Sequence, residues 1–314
     1  MIHSLVTGGA GFIGSHIVEA LVNRGDRVAV IDDLSTGRAE NLSHLGDRVR
    51  FVQGDICDLE LMRRLTDGVD TVFHQAAIPS VPRSVREPLA CNRAAVDGTL
   101  SVLLAARDAK VKRLVYASSS SVYGETQVLP KVEVMPTQPI SPYAVAKLAG
   151  ELYASVFWRV YGLQTVSLRY FNVFGPRQDP NSPYSGVIVK FIRTLVRGEV
   201  PVIFGDGKQT RDFTYVENVV QANLLAAEAP AEGVVGRVFN IGTGVETELN
   251  DLLAAIAGAM GKPARARHEP PRPDDIRNSL ADVTLAHRFL NYQPRVSLEE
   301  GVARTVDYFL KEEP

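Results

Sequence analysis

With 314 residues, 45% hydrophobic and 22% charged, the chain is long enough to bury a large core and too apolar to be disordered. A formal net charge of -2 excludes a general attraction to nucleic acid or an anionic membrane, although a few arginines can still grip a small anion. Cys57 and Cys91 supply neither a disulfide framework nor a metal-ligand spacing, so no metal is expected and a reducing cytoplasmic setting is read. The first apolar run starts directly after Met1, which leaves no room for a signal peptide, and no apolar run is expected to span a bilayer.

In chain order, short apolar runs at 2–6, 28–32, 49–52, 71–74, 113–117 and 165–169 alternate with amphipathic stretches, the pattern of βαβ units. Between the first two, Ile13, Ile17 and Leu21 share one helical face, and Gly25 suits the helix end. Right-handed crossovers wind such units into a Rossmann-type, doubly wound parallel α/β sheet with ligands at the carboxyl ends of its strands. Residues 1–171 are the expected nucleotide-binding domain, and 172–314 a smaller C-terminal substrate-binding portion. A helix at 216–229 and a strand at 237–241 are expected to return to the first sheet, within a span near 212–242. The stretches 175–186 and 262–275, dense in Pro, Asn, Ser, Gly or Arg, read as long loops.

Residues 7–14, T-G-G-A-G-F-I-G, follow a strand and open a helix. Gly8, Gly11 and Gly14 let the backbone approach a pyrophosphate, while the helix start offers amide donors and the positive end of its dipole. Asp32 closes the second strand, where a carboxylate accepts bonds from an adenosine ribose and repels a 2′-phosphate, favouring NAD over NADP. Asp55 after the third strand suits an adenine edge, whereas Asp33 is equally at home in a solvated turn.

Residues 141–147, S-P-Y-A-V-A-K, carry the chemistry. Ser141 is a good N-cap and Pro142 a good first helical residue, so Tyr143 and Lys147 fall one turn apart on one face. A phenol titrates near ~10 in water. A neighbouring ammonium and the positive nicotinamide ring would lower that value enough for Tyr143 to act as a base. Ser118 to Ser121 follow an apolar strand and place hydroxyls at its carboxyl end.

Taken in this order, the motifs resemble the extended short-chain dehydrogenase/reductase family, and within it the UDP-glucose and UDP-N-acetylglucosamine 4-epimerase type. Further matches are H-Q-A-A at 74–77, S-S-S-S-V-Y-G at 118–124, L-R-Y-F-N-V-F-G at 168–175, D-G-K-Q-T-R-D-F at 206–213 and the segment 272–282, so the likeness spans the whole chain. The resemblance implies Tyr143 as base, Lys147 as anchor of the nicotinamide ribose and Ser119 as the catalytic hydroxyl. For the cofactor it also implies Phe12, Ile13, Asp33, Ser35, Thr36, Gly37, Ile56, Gln75, Ala76, Ala77, Asn92, Tyr170, Asn172 and Val173. For a UDP-sugar it implies Asn172, Arg211 and Arg272 at the diphosphate and Asp275 at the uridine ribose. Ser80, Ser120, Gln178, Gly186, Val187, Ile203, Phe204 and Ser279 complete the implied pocket, and a homodimer through the helix at 92–106 and that of Tyr143 is implied too.

The implied reaction is inversion at C4 through a bound 4-keto sugar. Ser279 stands at the family's gatekeeper position, where a small residue admits N-acetylated sugars. Pro79 departs from the glycine of N-acetyl-type relatives and puts the size of the sugar space in question. A 4,6-dehydratase would need an Asp–Glu pair where Ser120 and Ser121 stand. A uronate 4-epimerase or decarboxylase shares the serine-rich segment, but Asn172 within N-V-F-G favours neutral hexoses. A non-catalytic NAD-sensing regulator would dispense with Tyr143 or Lys147, and both are present.

Overall fold

The computed structural model describes residues 2–179, 186–271 and 277–312. The six expected strands form as β1 (His3–Thr7), β2 (Arg27–Asp32), β3 (Val49–Gln53), β4 (Thr71–His74), β5 (Arg113–Ser119) and β6 (Thr165–Tyr170). With the strand Arg237–Ile241 they make a seven-stranded sheet in the order Arg237–Ile241, β6, β5, β4, β1, β2, β3. Every pairing in it is parallel. The chain winds outward from β1 through β2 to β3, then crosses back to β4 and winds the other way. The order therefore reverses between β1 and β4, where open α/β sheets leave a crevice for ligands.

Strand periodicity divides the core. Leu5, Ile31, Val72, Leu114 and Tyr116 face one side with Met62, Leu65, Val102 and Leu103 of the helices Leu59–Thr66 and Gly98–Asp108. Val6, Val30, Phe73 and Val115 face the other with Ile17 and Leu21 of Phe12–Arg24 and Val219 and Ala226 of Val216–Glu228. Burying a Val, Leu, Ile or Phe side chain contributes ~1.5–3 kcal/mol, which fixes the register at each strand. Gly25 ends the first helix with φ 92° and its N–H on Leu21 and Val22 carbonyls. Val216–Glu228 packs on this sheet, and Arg237–Ile241 pairs with β6 in parallel.

Beyond β6, a second core joins Ile188, Phe191 and Ile192 of Val187–Val196 to Leu252 and Ile256 of Leu249–Ala259 and Val302 and Phe309 of Leu298–Glu312. Three short strand pairs trim it: Val173–Phe174 with Thr214–Tyr215, Val202–Phe204 with Arg267–Glu269, and Thr210–Arg211 with Thr247–Glu248. The loop expected at 262–275 is thus partly strand, its pairing register invisible without its distant partner.

One expectation is corrected. The helical run Pro88–Asp108 has 21 residues and contains an 18-residue window of mean hydropathy 1.2, enough by length and composition to cross a membrane. It carries Arg93 and Asp97 and buries Val102, Leu103, Ala105 and Ala106 under the sheet, as a core helix does.

Candidate active site

Strand ends and helix starts converge at the β1/β4 crevice on a continuous cavity of about 2020 Å³, more than the ~300–1,000 Å³ of a single-ligand pocket. Gly8, Gly11, Phe12, Ile13, Gly14, Asp32, Asp33, Ser35, Thr36, Asp55, Ile56, Gln75, Ala76, Ala77, Tyr170, Asn172 and Val173 line it together with Ser119, Tyr143 and Lys147. Ser80, Ser120, Gln178, Gly186, Val187, Ile203, Phe204, Arg211 and Ser279 continue the same wall. Gly37 and Asn92 are not on it. Gly37 packs behind Asp32, where a Cβ would lie 2.7 Å from the carboxylate, and Asn92 is exposed before a π-type turn, Arg93–Asp97. Arg272 and Asp275 lie outside the described residues.

The glycine loop is shaped for close approach. A Cβ on Gly14 would stand 2.1 Å from the Gly8 carbonyl oxygen, and one on Gly8, at φ +66°, would stand 2.7 Å from the Ala76 backbone. Asp32 is buried, and its carboxylate accepts from the amides of Ala10 at 3.0 Å and Leu34 at 2.9 Å. Burial pushes its pKa up while these backbone bonds work against the rise. A dinucleotide with its pyrophosphate on the loop and a ribose at Asp32 fits this cradle. Behind it, His74 receives the Thr7 hydroxyl at 2.7 Å and donates to Thr99 at 2.8 Å, because the Thr99 hydroxyl is committed to the Ala95 carbonyl. Burial, helped by the Lys147 charge, lowers His74 to about 3, so it stays neutral.

At the nicotinamide end, Ser141 caps the helix Pro142–Tyr161 by accepting from the Ala144 amide, and the Tyr143 amide donates to Ser84 at 3.1 Å. All four serines reach the cavity wall; the Ser118 hydroxyl is committed to Glu151, while Ser119 hydrogen-bonds the Tyr143 phenol. The Lys147 Nζ donates to the Ala117 carbonyl at 2.8 Å and lies 6.0 Å from the Tyr143 ring centre. Burial dominates both titrations. It pushes the Tyr143 phenol up to about 12 against the Ser119 hydrogen bond, and draws Lys147 down to about 8. Desolvation thus raises the phenol in the protein alone, whereas the expected lowering belongs to the complex with a positive nicotinamide ring beside it.

In the second half of the cavity, Asn172 adopts φ 27° and donates through Nδ2 to the Asp212 carbonyl at 3.2 Å. Arg211 reaches the carbonyls of Thr210 at 2.8 Å and Arg277 at 3.2 Å. The Ser80 hydroxyl is engaged as the cap of Val81–Arg86, receiving the Arg83 amide at 3.1 Å. Sequence reading missed Asp212, which is fully buried. It accepts Thr243 N and Oγ1 at 2.7 Å on one oxygen, and Gly244 N at 2.9 Å and Ala281 N at 3.2 Å on the other. Its position next to Arg211 was the available signal. Lys131, Arg177, Gln209 and Arg267 also line the cavity and were not anticipated. Among the described residues no group of three or more His, Cys, Asp or Glu side chains could hold a metal ion.

A parallel sheet with a glycine cradle at its switch point, and a Ser–Tyr–Lys set opposite, defines a nicotinamide-dependent dehydrogenase-like enzyme. Residues 4–242 match the NAD dependent epimerase/dehydratase family, and the chain belongs to it, within the extended short-chain dehydrogenases/reductases. The family's cofactor is NAD. The chain is 45% identical over 310 residues to a UDP-glucose 4-epimerase of Mycolicibacterium smegmatis, covering 98% of each. The solved UDP-glucose 4-epimerase of Thermotoga maritima with UDP-glucose is 42% identical, with 100% of both chains covered and a TM-score of 0.94. A UDP-N-acetylglucosamine 4-epimerase of Methanobrevibacter ruminantium, in complex with UDP-N-acetylmuramic acid, is 40% identical with 99% of both chains covered and a TM-score of 0.94.

Proposed function

We propose that the protein is a UDP-hexose 4-epimerase interconverting UDP-glucose with UDP-galactose and UDP-N-acetylglucosamine with UDP-N-acetylgalactosamine. The observation that carries the reading is one cavity in which the Ser119–Tyr143–Lys147 set stands between the glycine cradle and the wall of Asn172, Arg211 and Ser279. NAD, when bound, supplies reversible oxidation at C4. Tyr143 Oη takes the proton of the C4 hydroxyl as the sugar becomes a ketone, holds it, and returns it to the C4 oxygen whichever face of the ketone is presented for reduction. Ser119 donates to the same sugar oxygen, and Lys147 holds the nicotinamide ribose. Inversion requires the sugar to turn while its diphosphate stays fixed, which suits guanidinium and amide donors at one end and small side chains at the other.

Ser279 supports the wider substrate range, since a hydroxymethyl side chain leaves room beside the sugar that a larger residue would fill. Turnover of UDP-galactose and UDP-N-acetylgalactosamine tests the reading; UDP-glucuronate turned over in preference to both would replace it with the uronate alternative. A homodimer is part of the proposal. Val145, Leu152, Val156 and Val160 form an exposed apolar stripe along Pro142–Tyr161, and Leu89 beside it is 86% exposed. A second copy of this chain would cover the stripe, and sedimentation at twice the monomer mass checks it. The free Cys57 and Cys91 suit a reducing cytoplasm.

A further inference from the structure

Behind Tyr143 and Lys147 lies an ion pair that the reaction itself does not use. Glu151 follows Lys147 by one helical turn on the same face of Pro142–Tyr161, and the two are 3% and 4% exposed. Its carboxylate takes both arms of the Arg169 fork, at 2.9 Å from Nε and 2.8 Å from Nη2, and also accepts the Ser118 hydroxyl. Arg169 stands on β6 with its guanidinium 4.6 Å from the Tyr123 ring centre, and the Tyr123 hydroxyl donates to Asn240 at 2.6 Å. A buried ion pair contributes little net stability, because desolvation offsets the attraction. Its place here calls for another reason.

Two contacts give that reason. Ser118 precedes Ser119, so tying the Ser118 hydroxyl to Glu151 fixes the end of β5 and with it the place of Ser119. Lys147 Nζ is bonded to the Ala117 carbonyl on that same strand end, with Glu151 one turn away. The titratable groups around Lys147 are Tyr143 and Glu151 on its own helix, Cys91 on Pro88–Asn92, Tyr116 on β5 and His74 on β4, with Arg169 on β6 behind Glu151. Burial holds His74 neutral and raises the Tyr116, Tyr143 and Cys91 pKa values, while Glu151 stands one turn from Lys147 in its ion pair with Arg169.

We propose that Glu151, clamped by Arg169, is a positioning residue that stands behind Lys147 and sets the strand end to which Lys147 is bonded and which carries Ser119. The proposal rests on the catalytic reading of Tyr143 and Lys147. Burial draws Lys147 down to about 8, and Cys91 and Glu151 oppose that fall. Without Glu151, a larger share of the protein would carry a neutral amine beside the phenol at the pH of turnover.

Two variants of the full chain separate charge from reach. Glu151→Gln keeps the shape and one acceptor but removes the charge. In protein labelled with carbon-13 lysine, the Lys147 resonance, assigned through Lys147→Arg, is expected to titrate about one pH unit or more below wild type. The alkaline limb of kcat should move down with it, with KM for UDP-galactose within about twofold. Glu151→Asp keeps the ion pair but withdraws the carboxylate by one methylene from Ser118. Its Lys147 titration should match wild type while kcat falls on the order of tenfold. It also supplies the test if the amide variant fails to fold. An unmoved Lys147 titration in Glu151→Gln, or an unchanged kcat in Glu151→Asp, overturns the proposal. The lysine titration needs no turnover, so a protein inactive on UDP-hexoses would sink the functional reading and leave this test standing.

Discussion

Asp212→Asn is the perturbation whose consequence the structure specifies most fully. The Asp212 carboxylate is fully buried and accepts four hydrogen bonds, from Thr243 N, Thr243 Oγ1, Gly244 N and Ala281 N. An amide in its place has one oxygen, so two of the four donors lose their acceptor whichever way it turns. Hydrogen bonds to a charged group contribute ~1.5–3 kcal/mol each, so the gross loss is about 3–6 kcal/mol. Relief from burying a charge, the cause of the raised Asp212 pKa, returns part of this and leaves about 2–4 kcal/mol. The same residue ties Arg211, Asn172 and the segment of Ser279 together, through its chain neighbour, its own carbonyl and Ala281. Urea unfolding should show the stability loss. Calorimetry should show UDP bound about tenfold more weakly, the equivalent of ~1.4 kcal/mol, with NAD affinity unchanged because the glycine cradle is untouched. A variant that unfolds like wild type and binds UDP equally well would refute the reasoning.

Three other outcomes are expected. Ser279→Tyr should retain activity on UDP-galactose and lose that on UDP-N-acetylgalactosamine, measured as kcat/KM for each; equal loss of both would sink the gatekeeper idea. Gly14→Ala places a methyl group 2.1 Å from the Gly8 carbonyl, a clash that only backbone movement relieves. NAD binding should fall at least about a hundredfold, and near-normal binding would contradict a loop shaped for close approach. His16 is lowered to about 4, chiefly by burial, and His74 to about 3, so the unfolded chain takes up protons first as the pH falls below 6.5. Their contribution to stability is complete above pH 6.5 and lost towards pH 4 and below, with a slope of up to ~1.4 kcal/mol per pH unit for each histidine. His16→Gln should flatten that slope in urea titrations between pH 6.5 and 4, and an identical slope would show that His16 does not carry it.

What could be read from the chain was what local pattern encodes. The strands from His3–Thr7 to Thr165–Tyr170 carry their apolar runs within a few residues, and Arg237–Ile241 carries its own. Helix-capping chemistry marked Ser141 and Gly25 as ends. Contacts between distant residues were not legible. The four donors to Asp212 lie at 243, 244 and 281, and Glu151 meets Arg169 across two elements. Which serine hydroxyl turns back to a buried partner depends on strand register, and it is Ser118 that bonds to Glu151. The rise of the Tyr143 phenol in the protein alone was not legible for a related reason: burial is the sum of many residues from several elements. Nor was the π-type turn Arg93–Asp97 legible, which follows the exposed Asn92 and whose extra residue per turn no ordinary helical period reveals.

The most direct test of the account is to supply the purified protein with NAD and UDP-galactose and follow UDP-glucose by chromatographic separation of the two nucleotide sugars. Wild type should form UDP-glucose with no net consumption of NAD, while Tyr143→Phe falls by about 10²–10⁴ in kcat. No UDP-glucose from wild type, or full activity in Tyr143→Phe, would contradict it.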